Sequence, residues 1–231
     1  MTASLPPAPP AGAEVGVDSR AALAWCHGAR FHITASRLTE LPTTGLPEIA
    51  FVGRSNAGKS SAINVLTQQR RLAFASRTPG RTQHINLFAL GPKDQPDAFF
   101  ADLPGYGYAK VERAAKQRWQ AVMSDYLVQR ESLHGVVLMI DSRLGVTELD
   151  QQLLDLLTPR VLRGEVRLLV LLTKADKLSR REASKALDDV QGVLAPLADG
   201  QGDVGVALFS ALSRAGVDDV AVALREWVPA K

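Results

Sequence analysis

Cysteine, long apolar runs and net charge are all scarce in this sequence of 231 residues. The single cysteine, Cys26, excludes an internal disulfide, and with only four histidines the chain lacks the residues for a Cys/His zinc site. No run of about eighteen apolar residues is present, and the N-terminus has neither the basic nor the apolar region of an export signal. We therefore expect a cytoplasmic protein with neither a membrane nor DNA as a partner.

The N-terminal composition differs from that of the rest of the chain. Residues 1–22 are rich in alanine and proline, which offer little apolar surface to bury, and we expect them to form a disordered tail. Across the whole chain 46% of the residues are apolar, which is enough for one sizeable core. We predict that residues 23–231 form a single domain.

Short apolar runs alternate with amphipathic segments from residue 48 onward. Apolar residues recur at helical spacing in segments 119–127, 149–157 and 217–227. Residues 28–38 alternate weakly and are a candidate for an additional edge strand. The predicted fold is α/β with three layers, in which a mostly parallel six-stranded sheet carries helices on both faces and binds ligands at the carboxyl ends of its strands. The six predicted strands are 49–52, 84–90, 99–102, 136–140, 166–172 and 206–209.

A glycine-rich segment follows the first of these strands and opens a helical pattern. It fits G-x-x-x-x-G-K-[ST], whose glycines let consecutive backbone N–H groups point at phosphate oxygens. The lysine would reach the β- and γ-phosphates, and the final serine would bind Mg²⁺. A glycine-rich structural turn is the alternative. The predicted phosphate-binding residues are Gly53, Arg54, Ser55, Asn56, Ala57, Gly58, Lys59 and Ser60.

A carboxylate and a glycine follow the predicted strand at 99–102. In the segment Asp102, Leu103, Pro104, Gly105, the aspartate would hold Mg²⁺ through water. The Gly105 N–H would donate to the γ-phosphate and lose that contact after hydrolysis. A lone D-x-x-G pattern is weak evidence, but its position at a strand end is where a Mg²⁺ ligand belongs.

Two later strand ends carry the residues that would select guanine. Asp176 could accept from both N1–H and the N2 amine of guanine, and adenine has neither donor, so the sequence predicts binding of GTP and GDP. The Lys174 stem would lie along the base, the Ala211 N–H would donate to guanine O6, and Ser210 would steady Asp176. The predicted guanine-binding residues are Thr173, Lys174, Ala175, Asp176, Ser210, Ala211 and Leu212.

With these motifs the chain resembles the EngB (YihA/YsxC) family of bacterial ribosome-assembly GTPases, which belongs to the TRAFAC (translation-factor) class of P-loop GTPases and has a Ras-like fold. The resemblance covers about residues 30–229 and rests on residues 53–61, 78–83 with Asn86, 102–110 and 173–178. It implies that Thr82 binds Mg²⁺ in the first switch. It also implies hydrolysis of GTP to GDP, a role with rRNA and ribosomal proteins in assembly of the large ribosomal subunit, and a need in cell division and septation. Further nucleotide-lining residues implied are Gly80, Arg81, Gln83 and His84.

Hydrolysis at such a site needs compensating charge and an oriented water. The position after D-x-x-G holds Tyr106, where many GTPases place a glutamine, which predicts slow intrinsic hydrolysis. Asn56 is the residue type found beside K⁺ in some GTPases, so K⁺ is a candidate activator, and Arg54, Arg77 and Arg81 are alternative cations. The predicted catalytic residues are Lys59, Thr82, Gly105 and Asn56, and the predicted Mg²⁺ ligands are Ser60, Thr82 and Asp102.

The 27 basic and 24 acidic residues leave a net charge of +3, but the basic residues are clustered. Such clusters either bind RNA phosphates or form an ordinary solvated face. A signalling switch acting on a protein effector would share every nucleotide motif, and an ATP-dependent kinase would share the phosphate loop, although Asp176 argues against the kinase. The clusters are Arg70, Arg71, Arg77 and Arg81; Lys110, Arg113, Lys116 and Arg118; and Lys174, Lys177, Arg180, Arg181 and Lys185.

Overall fold

Seven strands form one sheet in the computed structural model, which describes residues 17–73, 84–107, 113–198 and 201–229, with the backbone alone for 113–120. The sheet order is β1-β3-β4-β2-β5-β6-β7. Strands β4, β2, β5, β6 and β7 are mutually parallel, whereas β3 is antiparallel to both β4 and β1. The strands are β1 (Arg30–Ala35), β2 (Glu48–Gly53), β3 (Ile85–Leu90), β4 (Ala98–Asp102), β5 (Leu133–Asp141), β6 (Arg167–Thr173) and β7 (Val204–Leu208).

Helices cover both faces of this sheet, so the predicted three-layer α/β architecture is confirmed. One core cluster joins the sheet to α3, α4 and α5, and a second joins the opposite face to α1, α2 and α6. Among the described residues, no helix combines the length and apolar character needed to cross a bilayer. The helices are α1 (Ser19–His27), α2 (Lys59–Leu66), α3 (Arg113–Gln129), α4 (Glu148–Leu162), α5 (Arg180–Ala198) and α6 (Val217–Glu226).

The predicted strand number of six is wrong, because the candidate edge strand forms. β1 pairs with residues 85–89 of β3, with a register shift between Phe31 and Ile33. The alternation of β1 is weak because this register shift interrupts it, so that Phe31 is 60% exposed although it is apolar.

The predicted tail boundary at residue 22 is also wrong. The helix α1 begins at Ser19, the Asp18 side chain accepts from the Ala21 N–H at its N-terminus, and Ala22 is fully buried. Alanine is a strong helix former, and here it lets α1 pack closely against α6. The predicted disorder of residues 1–16 lies outside the described residues.

A buried carboxylate at the start of β2 fixes α3 to the sheet. Glu48 is 1% exposed and accepts hydrogen bonds from the Tyr126 hydroxyl at 2.5 Å and from the Arg130 guanidinium. Burial, followed by the charge of Glu48, holds the pKa of Tyr126 well above its usual value, so the phenol stays a donor. Helix α3 is therefore anchored at the end of the sheet opposite the carboxyl ends of the parallel strands.

Candidate functional site

The predicted motifs converge at one edge of the sheet. Because β2, β4, β5, β6 and β7 are parallel, their carboxyl ends share this edge. The glycine-rich loop leaves β2, Asp102 ends β4, and the segments beginning at Thr173 and Ser210 follow β6 and β7. Residues separated by more than a hundred positions in sequence thus form one site.

The glycine-rich loop has the close contacts that its glycines allow. A Cβ on Gly53 would lie 2.8 Å from the Met139 Cβ and carbonyl oxygen, so β2 and β5 could not approach this closely with a larger residue. Gly58, with φ +96°, turns the chain into α2, and Asn56 also has a positive φ of 68°. The loop therefore ends directly at the N-terminus of a helix, an arrangement suited to anions.

Lys59 and Asp102 form a buried ion pair between the start of α2 and the end of β4. The side chains are 8% and 2% exposed, so each charge compensates the desolvation of the other. Ser60, the next residue of α2, lies beside this pair in sequence. A hydroxyl and a carboxylate are oxygen ligands of the kind that Mg²⁺ prefers, so the donor set fits this ion.

The segment after Asp102 runs directly against the glycine-rich loop. The Ser55 N–H donates to the Tyr106 carbonyl at 2.9 Å, and the Tyr106 N–H donates to the Gly53 carbonyl at 3.2 Å. A Cβ on Gly105 would lie 3.3 Å from the Ser55 nitrogen. Pro104 is buried, and the Leu103 side chain lies wholly in the core. Leu103 was expected to line the nucleotide, and it can do so only through its backbone.

Thr173 and Lys174 tie β6 to the back of the same loop. The Thr173 hydroxyl donates to the Ala57 carbonyl at 2.7 Å, and the Lys174 ammonium donates to the Asn56 carbonyl at 2.9 Å. Lys174 also pairs with Asp141 at 2.8 Å. These contacts fix the loop from the side of the strand that the sequence assigns to guanine recognition.

Asp141, at the end of β5, was missed by the sequence analysis. Its carboxylate accepts from the Arg143 guanidinium at 2.7 and 2.9 Å and from Lys174. The hydrogen bonds from Arg143, and secondarily from Lys174, hold the pKa of Asp141 far below its usual value, against the opposing effect of burial. The signal was present, since an aspartate directly follows the apolar run 136–140, as Asp102 follows 99–101.

The Asp176 carboxylate lies at the other end of the site, after β6. The Ser210 hydroxyl donates to its Oδ1 at 2.6 Å, and this hydrogen bond is the main cause that lowers the pKa of Asp176. The side chain is 16% exposed, and the Lys177 ammonium is 3.4 Å from Oδ2. Asp176 is therefore ionised and held in one orientation at an open edge, ready to accept from a ligand.

Comparison with known proteins identifies the family. A family model described as 50S ribosome-binding GTPase matches residues 48–174. A protein from Polaromonas sp. named probable GTP-binding protein EngB is 58% identical over 228 residues, which cover 98% of this chain and 90% of that protein. A protein of the same name from Burkholderia multivorans is 52% identical, with 87% of this chain and 91% of that protein covered. The chain belongs to the EngB family of GTP-binding proteins. It is therefore a GTP-hydrolysing enzyme.

Solved structures with low identity share the fold of this EngB-family chain. The crystal structure of a probable GTP-binding protein engB has a TM-score of 0.59 at 18% identity, with 78% of this chain and 97% of that chain covered. The crystal structure of an Aquifex aeolicus Era variant bound to GDP·AlF4⁻ has a TM-score of 0.63 at 19% identity, with 80% of this chain and 58% of that chain covered.

Part of the predicted site lies outside the described residues. Four residues of the first switch, Gly80, Arg81, Thr82 and Gln83, and the fallback cation Arg77 fall there, as does Lys110 of the second basic cluster. His84 is described. It is exposed beside the end of β1, with Nδ1 2.9 Å from the Ser36 hydroxyl.

Arg54 and Leu212, both predicted to line the nucleotide, differ in their surroundings. Arg54 turns toward the start of α4, where a Cβ on Gly107 would lie 3.3 Å from its Nε, and it lines a cavity of about 210 Å³ there. Leu212 is 78% exposed, whereas Ala211 is half-buried next to Ser210. Local sequence identifies both loops but not the direction in which each side chain points.

Proposed function

We propose that this chain is a GTP-driven conformational switch that assists assembly of the large ribosomal subunit in the cytoplasm and is needed for normal cell division and septation. The observation that carries the nucleotide part is the convergence of three groups at one sheet edge: the glycine-rich loop, the Lys59 and Asp102 pair, and the oriented Asp176 carboxylate. The description of the matching family model, 50S ribosome-binding GTPase, supports the ribosomal part.

The phosphate half of the proposed site begins with the Lys59 and Asp102 pair. Lys59 would turn from Asp102 to the β- and γ-phosphates, because these phosphates are anions that would lie at the N-terminus of α2. Asp102 would then face Mg²⁺ through water, with Ser60 and Thr82 as the other protein ligands. Bound Mg²⁺ supplies charge neutralisation of the β- and γ-phosphate oxygens.

The base half of the proposed site depends on Asp176. Its free acceptor capacity matches the N1–H and N2 amine of guanine, whereas adenine would leave the carboxylate without donors. The Lys174 stem would lie along the base, since its ammonium is already held by the Asn56 carbonyl and Asp141. The Ala211 N–H would donate to guanine O6.

The rate of hydrolysis is proposed to be slow without an activator. The Tyr106 phenol points to Asp150 and is 3% exposed, so it does not face the place where an attacking water would lie. Charge compensation would come from K⁺ held beside Asn56, which is exposed at the tip of the loop. Loss of the γ-phosphate would free the Gly105 N–H and change the conformation of the second switch, the segment that begins at Asp102.

The proposed ribosomal contact uses exposed basic residues. Arg180, Arg181 and Lys185 lie exposed on α5, whereas Lys177 lies in the preceding 3₁₀ turn Ala175–Lys177. Lys185 is partly neutralised by Asp189 at 2.5 Å, which leaves the two arginines as the stronger candidates for RNA phosphates. Arg70 and Arg71 form a second exposed group.

Co-sedimentation with large ribosomal subunits tests this proposal. We expect more protein to sediment with a nonhydrolysable GTP analogue than with GDP, and the amount to fall with rising salt as phosphate contacts are screened. Replacing Arg180 and Arg181 by glutamate should weaken binding to the subunits and make it less dependent on salt. The same replacement at exposed Arg20 and Arg37 is the matched control.

Binding to ribosomal subunits that depends on neither the nucleotide nor the salt concentration would contradict the ribosomal proposal. If the protein is captured by a partner whose binding survives nuclease treatment, the result would favour a switch that acts on a protein effector. Equal binding of GDP and ADP by the purified protein would contradict the nucleotide part independently of any partner.

A further inference from the structure

Tyr106 connects the second switch to the start of α4. It directly follows Gly105 and is 3% exposed, and its hydroxyl donates to Asp150 Oδ1 at 2.6 Å. Asp150 is 1% exposed. Burial, together with the charge of Asp150, raises the pKa of the Tyr106 phenol well above its usual value, so the group remains a donor at any physiological pH.

Asp150 is itself held rigidly. Its Oδ2 accepts from the Thr147 N–H at 2.8 Å and from the Thr147 hydroxyl at 2.6 Å, which forms a capping box at the N-terminus of α4. One carboxylate oxygen therefore caps the helix while the other receives the phenol. A side chain fixed in this way is a suitable anchor for a neighbouring loop.

The backbone of Tyr106 is attached to the glycine-rich loop on its other side. It exchanges hydrogen bonds with Ser55 and Gly53, and Gly105 packs closely against Ser55. The phenol anchor and these backbone bonds together leave the Gly105 N–H little freedom. The position of this N–H decides whether a γ-phosphate can be bound without reordering the segment.

We propose that Tyr106 is a positioning residue, whose hydrogen bond to Asp150 holds the Gly105 N–H in place for the γ-phosphate. This inference rests on the proposed role of Gly105 as the γ-phosphate sensor. GDP has no γ-phosphate, so its affinity does not depend on this pre-organisation. The bond therefore sets the preference between GTP and GDP rather than nucleotide affinity in general.

The variant Tyr106→Phe tests this directly, because it keeps the buried ring and removes only the hydroxyl. We expect the affinity for a nonhydrolysable GTP analogue with Mg²⁺ to fall roughly tenfold, as for loss of a hydrogen bond to a charged group. The GDP affinity should stay within about twofold. Equal loss for both nucleotides, or no change in either, would overturn the inference.

Two controls separate positioning from general stability. Thr147→Val weakens the same helix cap, but the Thr147 backbone N–H still orients Asp150 and the phenol keeps its acceptor, so the variant should lower the melting temperature and leave the ratio of GTP to GDP affinity unchanged. In an Asp150→Ala background, Tyr106→Phe should have no further effect on that ratio, because the interaction is already gone.

Gly105→Ala distinguishes failure of this inference from failure of the proposed function. A Cβ there would press on Ser55 and displace the N–H, so the ratio of GTP to GDP affinity should fall sharply. If Gly105→Ala lowers the ratio and Tyr106→Phe does not, Tyr106 is not a positioning residue but the sensor stands. If Gly105→Ala leaves the ratio intact, the sensor itself is wrong.

Discussion

Replacing Asp102 by asparagine isolates the charge of the buried ion pair. Lys59 and Asp102 are 8% and 2% exposed, so neither charge is compensated by bulk water. In nucleotide-free Asp102→Asn, the Lys59 ammonium remains buried opposite a neutral amide. The perturbation changes one charge and almost no volume.

The magnitude follows from the burial of both partners. Removing one member of a buried pair costs about 3–5 kcal/mol. An asparagine oxygen can still accept one hydrogen bond, so we expect the lower end, about 3 kcal/mol, for the nucleotide-free protein without Mg²⁺. Saturating GDP should reduce the difference between the two proteins, because phosphate replaces the missing counter-charge in the native state.

Urea unfolding followed by tryptophan fluorescence, with and without GDP and always without Mg²⁺, measures both quantities. The double variant Lys59→Met, Asp102→Asn should be less destabilised than the sum of the two single variants. Asp125→Asn, at an exposed position on α3, is the matched control and should change stability by less than about 0.5 kcal/mol. A loss below about 1 kcal/mol for Asp102→Asn, or a loss that GDP does not reduce, would refute the reasoning.

Three further predictions concern other parts of the molecule. GTP hydrolysis should be faster in KCl than in NaCl at equal ionic strength, and Asn56→Ala should abolish the difference; equal rates would remove K⁺ from the mechanism. Arg143 is the main cause that lowers the pKa of Asp141, so the ionised carboxylate stabilises the fold at pH values above its unfolded pKa near 4. Asp141→Asn should therefore lower the unfolding free energy measured in urea at pH 7, and the difference from the parent protein should shrink as the pH falls below about 4. A constant difference would contradict this. Gly135→Ala should lower the unfolding free energy by about 1–3 kcal/mol with GDP affinity unchanged, because the new Cβ would lie 2.2 Å from the Trp227 ring.

The convergence of the site could be predicted from local sequence. Each motif was assigned to the carboxyl end of a strand, and parallel strands bring their carboxyl ends to one edge whatever their order. The positions of Asp102, Thr173 and Ser210 therefore followed from short apolar runs alone. The hydrogen bond from Ser210 to Asp176 required only that β6 and β7 be neighbours.

Contacts that depend on how a helix sits on the sheet could not be predicted. The bond from Tyr106 to Asp150 depends on how the start of α4 is placed against the segment that follows β4, which no local pattern encodes. Composition was misleading at the N-terminus, because a segment rich in alanine and proline was interpreted as disordered although alanine also favours helices. Ala22 is nonetheless buried in α1, and α1 packs against α6, a partner almost two hundred residues away along the chain.

The most direct test of the account is the purine preference of Asp176→Asn. The parent protein should bind GTP far more tightly than XTP, because xanthine carries a carbonyl where guanine carries the N2 amine that Asp176 accepts from. An asparagine amide can donate to that carbonyl, so the variant should lose GTP affinity and gain XTP affinity, while Asp189→Asn on exposed α5 should change neither. A variant that still selects GTP over XTP as strongly as the parent would contradict the assignment of guanine recognition to this carboxylate.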